Sequence, residues 1–490
     1  MIKQKSSVIK NIFSIMSGDL SSYAVSLLGS YYILTKLNMV EYATVNIVIG
    51  LPDLFLMLTN WGINTACIQF ISEKKYDFTQ IFYSGFIIKI STSLVGTGII
   101  YLFSDHISVH FLKRADIGIF LRMSSVLLIL LTLYNFFRAI CIGYEDYTNP
   151  SKISLVKVIT KYLISIILIY KGYRITGVIY GTIISFIISD FVYYFVIVKK
   201  RNNDVVKIYD TFILIYRLLI FGYPLFIGSL ISIFNRRIKN VLLPYYGNDD
   251  EISNLSASNL FYAVVNTITG SFTTTYLTAL SKYDHTVSNI EDLFNECDVF
   301  MRYTSIFISP IIIYSIFYSN TLLSYIFQDK FAMSSKYNIY LMMPLIFVLF
   351  GNKISYSLFI SQKDTQVAMK IMSFSSFILL IVSVFCLELF GIVGYLYSII
   401  ISIFIETIIQ NIYMYKKYEY KIKIFLSLQI LLTSVSSGLV SYYLPITSNI
   451  SLIIMLIKTL IFFSTYVILL LIQSIITKSD LLVIKQIFIK

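Results

Sequence analysis

Three cations crowd the run Asn235-Arg-Arg-Ile-Lys239, which is flanked by Phe221-Gly-Tyr-Pro224 and Pro244-Tyr-Tyr-Gly247. In a helix, Arg236 and Lys239 share a face, with Arg237 turned about 100° from Arg236. A guanidinium grips a phosphate or carboxylate in two places, so this cluster has the chemistry of an anion receptor. The surrounding sequence is apolar, and three cations cannot all face lipid. Either the segment lines a polar space, or it ends near Phe234 and the cations snorkel to the interface. Asp19, followed by Ser21 and Ser22 in another apolar stretch, offers a proton or sodium site or a structural counter-charge. Lys89, Arg122 and Lys353 are further cations in apolar surroundings, expected to face a cavity. Lys157, Lys161, Asp190, Glu406 and Lys458 also fall in or near apolar segments.

Other chemistries find little to work with. Cys67, Cys141, Cys297 and Cys386 are scattered without C-x-x-C spacing, and His106, His110 and His285 make no H-E-x-x-H pattern. There is neither a P-loop pattern nor a convincing G-x-S-x-G. No metal, no cofactor and no nucleotide-driven step by this chain alone are therefore expected.

The elements that must carry these residues are membrane helices. The chain has 490 residues, 57% hydrophobic and only 13% charged; a soluble chain is about 25% charged. About fourteen apolar segments of membrane-spanning length succeed one another. They run over 10–36, 43–63, 81–103, 117–141, 153–171, 174–197, 213–245, 253–279, 301–325, 338–361, 370–387, 391–414, 424–444 and 451–476. Only helices and closed barrels satisfy every backbone group in lipid, so the fold class is an all-α polytopic membrane protein. The basic N-terminus is read as leading into an uncleaved first span, because the apolar stretch runs on to about Leu37 and lacks an A-x-A-like cleavage site.

The net charge of +13 is explained by basic cytoplasmic loops rather than by nucleic acid. Placing both termini in the cytoplasm puts Lys74, Lys75, Lys199, Lys200, Arg201, Lys416, Lys417 and the terminal lysines inside. The outside connections then keep few cations, among them Lys36, Lys113, Arg114 and Arg174. A short amphipathic surface helix is expected over Asn289–Asp298 in the connection after span eight.

A faint internal repeat runs through the chain. Gly177 at the opening of span six aligns with Gly391 at the opening of span twelve, and the turn after span four resembles the turn after span ten. An offset of six spans keeps the orientation, so the halves would be related by an axis along the membrane normal. The expected organisation is an N-lobe over 1–208, a C-lobe over 209–418, and two added helices with a cytoplasmic tail over 419–490.

In pattern, nearly the full chain resembles the polysaccharide repeat-unit flippases, the Wzx-type O-antigen branch of the multidrug/oligosaccharidyl-lipid/polysaccharide exporter superfamily. The residues that carry the resemblance are Asn11-Ile-Phe-Ser-Ile-Met-Ser-Gly18, Thr35-Lys-Leu-Asn-Met-Val-Glu-Tyr-Ala43, Trp61-Gly-Ile-Asn-Thr-Ala-Cys67 with its continuation to Lys74, Phe221-Gly-Tyr-Pro-Leu225, and the Gly177 and Gly391 turns. Ala43 stands where the family usually has Gly.

The resemblance implies two six-helix lobes around a central cavity in a bacterial inner membrane. By alternating access, these would carry an undecaprenyl-diphosphate-linked oligosaccharide from the cytoplasmic to the outer leaflet, for O-antigen or capsule synthesis. It implies a polysaccharide polymerase and a chain-length regulator as partners. A polar head and diphosphate cannot cross hydrocarbon unaided, and a cationic, hydrated path is the physical answer. In that reading Arg236, Arg237, Lys239, Lys89, Arg122 and Lys353 meet substrate. The rival readings are a drug-efflux-type antiporter, a peptidoglycan-precursor flippase, and a membrane glycosyltransferase or polymerase of the same pathway. The short outer connections disfavour the enzyme, and the span-seven cations disfavour a receptor for cationic drugs.

Overall fold

A computed structural model of the chain describes residues 2–112, 114–199, 208–246, 248–283, 290–327, 333–443 and 452–476; within these, side chains are left aside at 2–10, 208–210, 232–242, 244–245 and scattered other positions. Every regular element among the described residues is helical. Among the described residues, eleven helices are long and apolar enough to cross a membrane, or twelve if one bent pair is a single span. Two of the fourteen expected spans fall on helices of sufficient length that are less apolar: α1 (Ile2–Lys36) and α10, described below. The protein is a multi-pass, all-α membrane protein.

The chain divides into two compact units, one of residues 11–230 and one of residues 231–490 with the first ten. The first unit contains α1 from Asn11 onward, α2 (Met39–Asn60), α3 (Ile63–Glu73), α4 (Phe78–Leu102), α5 (Ser104–His106), α6 (Gly118–Gly143), α7 (Thr148–Tyr170) and α8 (Arg174–Val198). The division falls inside α9 (Ile208–Tyr246). The second unit continues with α10 (Asp249–Leu280), α11 (Ile290–Phe317), α12 (Ser319–Phe327), α13 (Ser334–Ile346), α14 (Asn352–Ser361), α15 (Thr365–Phe390), α16 (Ile392–Tyr418), α17 (Ile424–Tyr443) and α18 (Leu452–Ile472).

Local chemistry fixes the helix ends. Asn38 accepts from the Glu41 amide at 2.8 Å while Glu41 accepts from the Asn38 amide at 3.0 Å, a reciprocal cap that starts α2. The same Asn-x-x-Glu box starts α10, with Asn248 and Glu251 at 2.8 and 3.1 Å. The expected surface helix at Asn289–Asp298 is not separate. From Ile290 its residues are the first turns of α11, because nothing breaks the helix between Asp298 and Phe300 and acidic Glu291 and Asp292 suit a helix start. Span ten, expected as one segment, is two pieces bent by 51°. Gly351 makes the break with φ +95°, a left-handed conformation that glycine enters freely.

Inside the bilayer, helices cannot be held together by exclusion of water, so small residues and interhelical hydrogen bonds carry the packing. In the first unit Ser22 and Ser154 share a hydrogen bond of 3.0 Å between α1 and α7. In the second, a ladder joins α11 and the residue that follows it to α17: Ser305–Ser427 at 3.0 Å, Ser309–Ser434 at 2.7 Å and, just past the end of α11, Tyr318–Ser441 at 2.9 Å. Beyond the end of α16, the Tyr420 hydroxyl donates to Asp298 at 2.8 Å and Lys423 pairs with the same carboxylate at 2.6 Å. Burial, with Cys297 and Asp298 adding to it, pushes the Tyr420 phenol well above its ordinary range, so it stays a donor.

Two of the motifs singled out in the sequence meet. A Cβ on Gly62 would lie 2.4 Å from the Gly222 carbonyl oxygen, and one on Gly222 would lie 2.3 Å from the Trp61 carbonyl oxygen. The turn between α2 and α3 therefore rests directly on the backbone of α9. Trp61 stacks on Phe226, with ring centroids 4.9 Å apart.

Candidate functional site

In the first unit, α1, α2, α6, α7 and α8 enclose an open cavity of about 360 Å³. α2 contributes Asn46, Gly50 and Asp53; α7 contributes Lys161 and Tyr162; α1 contributes Ser30; and α8 contributes Thr182 and Phe186. The walls between them are apolar, including Val45, Ile49, Leu127 and Val178. Ser30 and Tyr162 share a hydrogen bond of 2.8 Å across the α1–α7 contact. A Cβ added at Gly50 would meet nothing within 4 Å, so that glycine fronts open space. The cavity thus offers one carboxylate, one ammonium, a carboxamide and hydroxyls in an apolar frame, the composition of a small-ligand site.

A layer of charge lies beside it, at residues farther from the α1–α2 and α7–α8 turns. Arg138 on α6 grips both oxygens of Asp19 on α1, at 2.9 and 2.8 Å, and both side chains are largely buried. Lys157 on α7 rests its ammonium 3.9 Å from the centre of the Tyr134 ring and 4.8 Å from that of Phe186. Such cation–π contacts stabilise an ammonium that has left water. Asp190 lies one helical turn beyond Phe186, and its buried carboxylate oxygens have no hydrogen-bond partner among the described residues. Phe186 belongs both to the cavity wall and to the cradle of Lys157.

Of the cations named from the sequence, Lys89 and Arg122 lie in the first unit and Lys353 in the second. Lys89 is fully buried, at 1% exposure, and donates to the Asn60 side-chain and main-chain oxygens at 2.7 and 3.1 Å. It thereby satisfies carbonyl capacity at the C-terminal end of α2, where the helix dipole favours a cation. Arg122 is half-exposed, pairs with Asp105 and donates to Ser104 Oγ at 2.9 Å. Lys353, in the second unit, neighbours Glu406, whose carboxylate accepts from Ser375 at 2.8 Å and Gln410 at 3.1 Å. Asp19, offered by the sequence as an ion site or a structural counter-charge, has Arg138 of α6 as its partner. Arg236, Arg237 and Lys239 are on α9, and their side chains lie outside the described residues.

Asp53 was missed altogether. Its signal was available, since it is an acid in the middle of an apolar span directly after Pro52. Lys161 was noted only as lying near a span. Nothing in the sequence showed that these two residues line one cavity.

This architecture is that of the MATE transporters. A multidrug resistance MATE family transporter of the MOP superfamily, solved in an outward-facing conformation, matches with a TM-score of 0.70 at 14% identity, over 85% of this chain and 96% of its own. A MATE in the straight conformation gives 0.69 at 13%, with the same coverage. A MOP superfamily transporter from Pyrococcus furiosus, described as having a binding pocket of reversed polarity, gives 0.68 at 14%, again with the same coverage. At such identities the likeness defines the fold. Residues 36–336 match the family described as polysaccharide biosynthesis protein, and the chain belongs to that family. No curated protein sequence matches it significantly.

Proposed function

We propose that the protein is a flippase moving an undecaprenyl-diphosphate-linked oligosaccharide from the cytoplasmic to the outer leaflet of a bacterial inner membrane by alternating access. The observation that supports this most is the polysaccharide-biosynthesis family match over 36–336 on a chain with the MATE fold. The two together support a saccharide cargo moved by a transporter scaffold. The cavity of the first unit supplies the polar surface that a sugar requires within the bilayer. Two parallel six-helix lobes are the arrangement we propose, and the matching Asn-x-x-Glu boxes at the second and eighth spans support it.

Complementation tests this reading. In a strain lacking its own flippase, the gene should restore surface polysaccharide and drain the accumulated lipid-linked repeat units. Restored polymer without that drainage, or drainage without polymer, would contradict it.

Two predictions follow from the proposed topology and the α9 cations. With both termini cytoplasmic, reporters fused after Lys200 and after Lys417 should read cytoplasm, and one after Asp250 should read outside. An outside reading at Lys200 reverses the orientation. If the α9 cations meet the diphosphate or an acidic sugar, the Arg236→Ala, Arg237→Ala variant should export several-fold less at unchanged protein level. Lysine at both positions should retain part of the activity, since charge persists while the planar fork is lost. Normal export by the double alanine variant would remove these residues from the substrate path.

A further inference from the structure

The cavity of the first unit is small and carries balanced charge. Its lining holds one acid, Asp53, and one base, Lys161, with Asn46, Ser30 and Thr182 as neutral polar groups. A volume of about 360 Å³ lies near the lower end of the roughly 300–1,000 Å³ found for ligand pockets. That is room for a sugar ring, not for a whole repeat unit with its diphosphate. The rings of Tyr42, Tyr162 and Phe186 in its lining provide apolar faces of the kind that cover the C–H face of a sugar.

We infer that this cavity is a selectivity site for a single sugar residue without net charge, a neutral hexose or an N-acetylated hexosamine, with Asp53 and Lys161 as the residues that set the charge it accepts. This rests on the flippase reading and extends it by naming the class of sugar. A carboxylate such as Asp53 accepts from hydroxyls, and an ammonium such as Lys161 donates to hydroxyl or acetamido oxygens. A uronic acid would bring a net negative charge into a cavity whose own two charges already balance, so nothing there would offset the cost of taking that charge out of water. A sugar with a free ammonium would meet the same uncompensated cost. Because the two side chains have opposite signs, removing either one alone should bias the cavity in a predictable direction. Asp53→Asn leaves a net positive site, and Lys161→Gln leaves a net negative one.

The test uses the full-length purified protein in proteoliposomes and two fluorescent undecaprenyl-diphosphate saccharides that differ at one residue. One ends in a neutral hexose, the other in the corresponding uronic acid. The wild type should move the neutral probe about tenfold faster, which corresponds to about 1.4 kcal/mol in the barrier. Asp53→Asn, which keeps the side-chain shape, should erase or invert that ratio, and Lys161→Gln should widen it. Gly50→Phe, which puts a ring into the open space in front of α2, should slow both probes while the protein remains monodisperse and correctly inserted. A residue with only a structural role would change the amount of active protein but not the ratio. Equal wild-type rates for the two probes, or a ratio untouched by Asp53→Asn, would overturn the inference while leaving the flippase reading standing. Movement of neither probe would overturn both.

Discussion

Arg138→Leu should be among the most damaging single changes in the first unit. It leaves Asp19 largely buried with its two strong hydrogen bonds gone. Breaking a buried pair from one side costs about 3–5 kcal/mol, mostly because the remaining charge stands uncompensated. The thermal aggregation midpoint of the detergent-solubilised protein should fall sharply, and so should its yield in the membrane. Asp19→Asn combined with Arg138→Gln removes both charges and keeps a hydrogen-bonding pair, so it should recover most of the loss. The recovery is the informative half of the experiment. If the double variant is as unstable as Arg138→Leu, the arginine acts through something other than Asp19, and the pair does not tie α1 to α6 as described.

Gly222→Ala should be nearly as severe, for a different reason. Its new methyl would be directed at the Trp61 carbonyl oxygen, 2.3 Å from where the Cβ must lie. A backbone atom cannot swing away as a side chain can, so α9 has to move or the turn between α2 and α3 has to open. Overpacking of this kind costs about 1–3 kcal/mol even where side chains can adjust. Gly62→Ala adds backbone strain, because Gly62 has φ +67°. Loss of the Trp61–Phe226 stack gives a direct readout. Trp61 is the chain's only tryptophan, so its emission should shift to the red in Gly222→Ala if the contact opens. Unchanged emission and unchanged stability would mean that α9 and this turn do not touch.

What could be read from the sequence follows from how local each feature is. Length and apolarity are local, so the helical, polytopic class and the placement of most spans needed no tertiary information. The bend at Gly351 and the absorption of Asn289–Asp298 into α11 were not visible, since each depends on whether a helix continues across a polar turn. The two glycine motifs, Trp61-Gly62 and Phe221-Gly222, stood out individually, but their meeting depends on the packing of distant helices. Charges were harder to assign. A lysine in an apolar stretch has the same sequence signature whether it lines a cavity, caps a helix as Lys89 does, or stands on aromatic rings as Lys157 does. The partner decides between these, and partners such as Asn60, Tyr134 and Arg138 come from other helices. Asp53 shows the converse: its type and mid-span position were sufficient to flag it, while its companion Lys161 on α7 became evident only from the cavity.

The proposed transport of a lipid-linked saccharide by this chain alone can be followed by reconstituting the purified protein with a fluorescent undecaprenyl-diphosphate oligosaccharide and measuring, with a membrane-impermeant quencher, how much of the probe reaches the opposite leaflet. In the presence of the protein, the quenchable fraction should change with time well beyond protein-free vesicles, and unlabelled lipid-linked saccharide should compete. A quenchable fraction indistinguishable from protein-free vesicles, under either a proton or a sodium gradient and with the protein shown to be folded and inserted, would contradict the proposed transport.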